Sequence, residues 1–251
     1  MLDLAIGVSD PSVAADQYRL VETHAWWLGT FGPHQHLTEH RLRHWVPAHP
    51  GREWLLYREL TGAQTWLTGS AAQAAEDGFE LASVAPTGLF RTPPGPLRSS
   101  EPRGSWQDPT PTFFARLPTG ADELLARLRE DNPGSWFTPF SAAVTALRTG
   151  LVPAALRAAL YRALTGLPGV TIIAATTNLD GVACLALVHD AGRTRTELLI
   201  DPTDGQFAGE RDTVRDGSRC GLPDGTTIST TAVRTAVVDA AAVESTARRI
   251  A

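Results

Sequence analysis

Apolar and polar positions alternate with a period of two along the N-terminal third of the chain, as is typical of strands with one buried face. The alternation runs through residues 17–31, 35–46 and 53–61, and a short apolar stretch follows at 65–68. Turn-forming residues separate these segments, so they can pair as neighbours. We therefore predict an N-terminal antiparallel meander over residues 17–69.

A different pattern follows further along the chain. Leu156, Leu160 and Leu164 recur at helical spacing and form one apolar stripe. Short β-rich runs come next, at 170–176, 182–189 and 194–201, and the residues between them are Asp-Gly and Asp-x-Gly turn signals. The pattern predicts a helix followed by a β-meander over residues 170–240.

The middle of the chain predicts a loop and then helices. Residues 86–112 are rich in Pro, Gly and Ser, which indicates a long irregular loop. Helix signals follow over residues 110–165. They include Thr110-Pro111, a capping box at Thr119 and Asp122, and Thr138-Pro139. We expect one domain over residues 1–251.

These elements together predict an α+β fold. We expect a curved antiparallel sheet, a half-barrel of about seven to nine strands, whose concave face is covered by three or four helices. A ligand cavity would then lie between the sheet and the helices.

A family resemblance rests on the same stretches. The run LVPAALRAALYRALTGLPGV, followed by NLDG and TELLIDPTDGQFAGERD, resembles the C-terminal signature of an uncharacterised actinobacterial family, often encoded near sigma-factor genes. Residues 44–62 and 104–129 and the run STTAVRTAVVDA match it too. The element order is similar to that of the lipoprotein-sorting proteins and related sigma-factor regulators. That likeness implies a curved sheet around an apolar cavity plugged by helices, and it brings no catalytic residues with it.

Typical members of that family carry a membrane-spanning helix before the matched region, whereas here the match begins at about Gln17. Neither a secretory signal nor an apolar run of ~18 residues stands in the sequence. We therefore expect no membrane insertion and a cytoplasmic location. The alternative is an extracytoplasmic domain cut from a longer protein. Nothing in the sequence specifies an oligomeric state.

Composition narrows the chemistry. The net charge of −5 and pI of about 5.8 argue against a nucleic-acid partner. All 22 basic residues are arginine, which excludes lysine Schiff bases and a Walker-type lysine. Cys184 fits a buried strand position, and a bridge to Cys220 is an open alternative. We expect no cofactor and no metal.

Histidines cluster near the N-terminus, where six of the seven fall between His24 and His49. On a helix, His36, His40 and His44 would share one face, as metal ligands do. On a strand they would also share a face, but the i, i+4 spacing of ~13 Å is too long for one ion. Solvated strand positions, a ligand-facing imidazole and a metal site are the three interpretations, in that order of preference.

The strand at 17–31 carries the candidate catalytic residues. Glu22, His24 and Trp26 alternate along one face, and a buried carboxylate and imidazole suit proton transfer near neutral pH. The alternative is that this is an outer, solvated face. On the strand at 53–61, Tyr57 or Arg58 would polarise a substrate oxygen, depending on which face points inward. The expected aromatic lining of the cavity comprises Trp26, Trp54, Trp66, Phe113 and Phe114.

Two functional hypotheses follow. The first is a cofactor-independent enzyme that acts on a hydrophobic small molecule by acid/base chemistry, such as a cyclase or dehydratase of polyketide-like natural product biosynthesis. The second is a non-catalytic domain that binds or senses a hydrophobic ligand, linked to sigma-factor regulation as the resemblance implies.

Overall fold

A computed structural model gives the structure of the chain. It describes residues 7–49, 51–92, 104–134, 137–190, 192–215 and 221–250. Within these ranges the chain forms an antiparallel sheet and a set of helices, and the α+β class is confirmed.

The sheet contains nine strands in the described residues. They are β1 Gln17–Phe31, β2 His34–Pro47, β3 Trp54–Thr68, β4 Gly88–Thr92, β5 Val170–Thr177, β6 Ala183–Asp190, β7 Thr194–Ile200, β8 Phe207–Val214 and β9 Thr227–Asp239. Their order across the sheet is β4-β3-β2-β1-β9-β8-β7-β6-β5. Each half is therefore a meander, as predicted, and the pairing of β1 with β9 joins the two halves.

Six helices accompany the sheet in the described residues. They are α1 Ala71–Glu76, α2 Pro111–Phe114, α3 Ala121–Asp131, α4 Pro139–Arg148, α5 Ala154–Thr165 and α6 Ala240–Ile250. The N-cap Thr138 and Ser141 form a capping box at the start of α4, which fixes this helix at its predicted start.

Helices α2 to α5 pack on one face of the sheet, which we call the helix face. Val21, Leu198 and Val233 on this face join the main hydrophobic core with the buried stripe of α5. The opposite face carries Glu22 and His24, because neighbouring residues of a strand point to opposite sides. We call it the cleft face.

The last helix, α6, packs on the cleft face rather than with the other helices. Its Val243 and Ala247 contact Tyr18, Trp45 and Leu55 in a second, smaller core. The expectation that all helices cover one face is therefore wrong. The sequence pattern predicts the meander as far as residue 240 and no helix after it.

The end of the sheet folds over the cleft face. Three strands separate β1 from β6 in the sheet, yet Asp180, in the turn between β5 and β6, lies 2.6 Å from His24 on β1. A flat sheet would hold β1 and β6 about 19 Å apart at ~4.8 Å per strand. The face enclosed by this bend is thus the cleft face, and α2 to α5 cover the other one. This overturns the expected placement of the helices on the concave face.

Several boundaries differ from the sequence expectations. β3 is one long strand that includes both 53–61 and 65–68, and β4 lies within the predicted loop at 86–112. Gly120, not Thr119, is the N-cap residue of α3. Helix α1 was not predicted. The central part of the loop, residues 93–103, lies outside the described residues.

Candidate functional site

A cleft of about 450 Å³ opens on the cleft face, between the middle of β1, β2, β3 and β9 and the turns of the C-terminal meander. The strands contribute Glu22, Thr23, His24, Arg41, Leu42, Arg43, Tyr57, Glu59, Phe207, Ala208, Ala232, Val233, Arg234 and Thr235, and the turns contribute Asn178, Asp180, Val182, Asp201, Asp204 and Gln206. Charged side chains are prominent among them, beside apolar ones such as Leu42 and Phe207. The lining is therefore mixed, which differs from the apolar cavity expected from the sequence.

Glu22 lies between two arginines, Arg43 and Arg234. Its Oε2 accepts hydrogen bonds from Nη2 and, at 3.2 Å, from Nε of Arg234. Its Oε1 lies 3.4 Å from Nε of Arg43. Arg234 is the partner of Glu22 in the β1–β9 register and Arg43 its partner in β1–β2, so the sheet itself sets this arrangement. Both carboxyl oxygens are occupied by guanidinium groups.

His24 bridges two carboxylates. Its Nδ1 lies 2.6 Å from Asp180 Oδ1, and its Nε2 lies 2.7 Å from Glu39 Oε1. A neutral imidazole has one N–H and one lone pair, so two ionised carboxylates can both accept only when the ring carries both protons. Through these two contacts the ring joins β1, β2 and the β5–β6 turn.

Glu39 is held in its ionised form. The Thr61 hydroxyl donates a hydrogen bond of 2.5 Å to Oε2 and is the largest influence that lowers the pKa of Glu39, which burial opposes. His24 and Arg41 lower this pKa further. A carboxylate with these partners favours a cationic neighbour, as the contact with His24 shows.

The turn that carries Asp180 is fixed from within. The Asn178 Oδ1 accepts hydrogen bonds from the backbone N–H groups of Asp180 and Val182, and its amide donates to the Ala208 carbonyl oxygen at 3.0 Å. The Leu179 N–H donates to the backbone of β9. This wall of the cleft is therefore preformed.

Tyr57 and Glu59 line the cleft from β3. Glu59 is opposite Arg41 in the register, but Arg41 turns to Glu39, with its Nη2 3.3 Å from Oε1. Within the described residues Glu59 has no ion-pair partner. Tyr57 also packs against the core beneath α6, so its ring is anchored while it faces the cleft.

The structure brings Glu22, His24 and Tyr57 into one cleft but leaves out Arg58. The Arg58 guanidinium stacks at 5.9 Å over the Phe90 ring. Arg58 pairs with Leu42 and Gly88 in the register, which places it on the helix face. Strand alternation sends Tyr57 and Arg58 to opposite sides, so of these two alternatives Tyr57 lines the cleft and Arg58 does not.

The five expected aromatic residues do not line a common cavity. Phe113 and Phe114 pack with Trp106 in the helix core, Trp54 contacts His44, and Trp66 contacts His36. Trp26 is on the cleft face by register but is not among the residues that line the cleft. In the part of the chain that the structure describes, these side chains do not gather around one cavity, and the cleft lies on the face of the sheet opposite to α2–α5.

The histidines of β2 share one face, as predicted for a strand, and it is the helix face. His34, His36 and His40 are buried there rather than solvated. Burial lowers the pKa of His36 and His40, and it lowers that of His44 to about 4. In the described ranges no group of three His, Cys, Asp or Glu residues could hold a metal ion. Cys184 is buried and free, and Cys220 lies outside the described residues.

Sequence reasoning missed most of the polar lining. The period of two predicts that Glu39, Arg41 and Arg43 share one face of their strand, but nothing local links that face to Glu22. Asp180 belongs to an Asp-Gly turn signal, which predicts a hairpin and no contact with His24. The pairing of β1 with β9, which brings Arg234 to Glu22, joins residues 212 positions apart and leaves no local signal.

Comparison with protein-family models, with curated proteins and with solved structures found no match to this chain. Among the described helices, none is both long and apolar enough to cross a membrane.

Proposed function

We propose that this chain is a non-catalytic ligand-binding domain whose cleft takes a small polar molecule with an ammonium group. The observation that carries the proposal is that Glu22 and His24 are already occupied. The two oxygens of Glu22 face two guanidinium groups, and both ring nitrogens of His24 face carboxylates. A general acid or base must reach the substrate proton, and the groups that contact Glu22 and His24 would have to move or be shared before either could do so.

The charge of the cleft supports a cationic ligand. Five carboxylates line it, against three guanidinium groups. Glu22 is compensated by Arg43 and Arg234, and Asp180 by His24, whereas Glu59 has no ion-pair partner in the described residues. An ammonium group beside Glu59 would also lie near the ring of Tyr57, where a cation–π contact can add to binding. The volume of about 450 Å³ is in the range of small-molecule sites.

The competing proposal is the acid/base enzyme. The observation in its favour is that Glu22, His24 and Tyr57 share the cleft. A substrate would first have to displace Arg234 or Asp180 from these groups, and a hydrophobic substrate would have to lie against charged side chains. Turnover that falls by about 10²–10⁴ in Glu22→Gln would favour the enzyme.

A matched set of probes tests the binding proposal. We expect 4-aminobutan-1-ol to shift amide NMR resonances of Tyr57, Glu59 and their neighbours, while butane-1,4-diol and 4-hydroxybutanoate leave them in place. Glu59→Gln should weaken binding of the amine about tenfold, which corresponds to ~1.4 kcal/mol. Glu244→Gln, on the exposed side of α6, is the control and should bind as the wild type does. Equal binding of the diol or the carboxylate, or no shift at the cleft with the amine, would contradict the proposal.

A further inference from the structure

The helix face of β2 carries buried polar atoms that lack hydrogen-bond partners. His36 is 1 % exposed, and neither its Nδ1 nor its Nε2 has a partner. The Thr38 hydroxyl, on the same face of the strand, and Nδ1 of His34 are also buried without partners. Buried polar atoms in proteins are nearly always paired, so this row requires an explanation.

A short segment covers one end of the row. It runs from α1 to Phe79, residues 71–79, and we call it the α1 flap. The Phe79 ring packs at 4.9 Å from the His36 ring and at 5.9 Å from the Trp66 ring, and its backbone N–H bonds to the Ala74 carbonyl oxygen. The Trp66 ring also packs against His36, at 4.6 Å. His36 thus contacts two aromatic rings, which also contact each other.

Apart from Phe79, whose ring also packs 5.4 Å from Phe31, the α1 flap is held by few contacts. Ala74 is the buried residue of α1, and Asp77 is the C-cap. Asp77 Oδ2 lies 2.7 Å from His34 Nε2, and the aspartate side chain is 59 % exposed. Segments with little buried apolar surface open at a lower free energy than the core does. Release of the flap therefore needs only a modest change beneath it.

A proton on His36 would supply that change. In the closed state the charged ring would have no acceptor, and it would be sealed from water by Phe79 and Trp66. In the open state water would solvate it. The closed state therefore disfavours the proton, in agreement with the pKa of His36, which burial lowers.

Other charged groups near the row do not reverse this. The Arg58 positive charge acts on His40 and disfavours a second cation there. Among the described residues the carboxylate in contact with the row is that of Asp77. Its Oδ2 contacts Nε2 of the buried His34 ring, and because the aspartate side chain is 59 % exposed, water screens this contact and it opposes release only weakly.

We propose that the α1 flap is an acid-sensitive lid, which leaves the sheet when His36 is protonated and exposes His34 and His36. In the open state His36 binds a proton as an ordinary histidine does, so the fraction of molecules with the lid open begins to increase as the pH falls below about 6.5. It increases up to about tenfold for each further unit of acidification.

Hydrogen exchange at several pH values tests the lid. Expressed as protection factors, protection of the amide of Phe79 should fall up to about tenfold per unit between pH 6.5 and 5, while that of Leu198 in the core stays constant. In His36→Phe this fall should vanish. His189→Phe is the matched control. Burial also lowers the pKa of His189, but this residue is on β6 in the other half of the sheet, where its ring contacts Phe140 of α4. That variant should behave as the wild type does.

Three results would overturn the proposal. They are constant protection of Phe79 in the wild type, an unchanged fall in His36→Phe, and a simultaneous loss of protection at Leu198. If His36→Phe does not fold, the NMR titration of the His36 ring in the wild type decides. Its protonation should coincide with the loss of protection at Phe79, and titration without that loss contradicts the lid.

Discussion

His24 Nδ1 lies 2.6 Å from Asp180 Oδ1, across 156 positions of the chain. The contact fastens the tip of the β5–β6 hairpin to β1 and so helps to keep the sheet bent over its cleft face. Because Glu39 holds the other ring nitrogen, His24 is fixed between two strands and the turn. We call this arrangement of His24 with Glu39 and Asp180 the clamp.

Replacement of either partner of this clamp should lower stability by different amounts. Asp180→Asn removes a charge that is half exposed, so the free energy of unfolding should fall by about 0.5–1 kcal/mol. His24→Ala also removes the His24 contact from the less exposed carboxylate of Glu39, which keeps Arg41 and Thr61, and we expect a loss of about 1–3 kcal/mol. Urea unfolding measures both.

The double variant shows whether the residues act through each other. If they do, the combined loss is smaller than the sum of the single losses. Additive losses would contradict the clamp. Glu244→Gln, on the surface of α6, should change stability by less than about 0.5 kcal/mol.

Local patterns predicted much of the fold. The alternation at 17–31 gave β1 its bounds and placed Glu22 and His24 on one face. Thr138-Pro139 gave the start of α4 because capping chemistry acts within one turn. Both features depend on residues close together in sequence.

The location of the cleft could not be predicted in the same way. It depends on the pairing of β1 with β9 and on the direction in which the sheet bends, and both arise from contacts between distant residues. The histidines of β2 show the same limit. Their common face was clear from the period of two, but the burial of His36 depends on Phe79, which comes 43 positions after it.

Arg157 connects the start of the described chain to the turn between β7 and β8. It is 2 % exposed, and its nitrogens donate to the Gly205, Val152 and Ser9 carbonyl oxygens and to Asp10 Oδ1, at 2.8–2.9 Å. A guanidinium group has five N–H donors in a planar fork, which suits four acceptors in different directions. This is how a buried charge is tolerated here.

Arg157→Lys should therefore be strongly destabilising although the charge is kept. An ammonium group has three donors and cannot reach all four acceptors, so buried oxygens and Asp10 lose partners. We expect the free energy of unfolding to fall by about 2–4 kcal/mol, measured in urea. Arg162→Lys, on the exposed side of the same helix, should change it by less than about 0.5 kcal/mol. Similar small effects for both variants would show that the hydrogen bonds of Arg157 are not needed.

Asp212 on β8 makes stability depend on pH. Burial raises its pKa from the usual 3.8 to about 6, although the Thr196 hydroxyl donates a hydrogen bond to it at 2.7 Å. The unfolded chain therefore releases this proton at lower pH than the folded chain does. As pH rises from about 4 to 6 the unfolded state is favoured, and the contribution of Asp212 to stability is lost over that window.

Asp212→Asn should remove this loss, because the amide stays neutral and its Oδ1 can still accept from Thr196. At pH 7.5 we expect the variant to unfold at higher urea than the wild type, with a free energy of unfolding greater by about 1–3 kcal/mol. At pH 4 the two proteins should differ little, since the wild-type carboxyl is then largely protonated in the folded chain. Because the two proteins are compared at equal pH, the contributions of the other titrating groups cancel. Asp122→Asn, at an exposed position of α3, controls for the change of residue type. If the variant is no more stable than the wild type at pH 7.5, then partners such as Arg148 and Thr196 offset the cost of burying the Asp212 carboxylate, and the prediction is wrong.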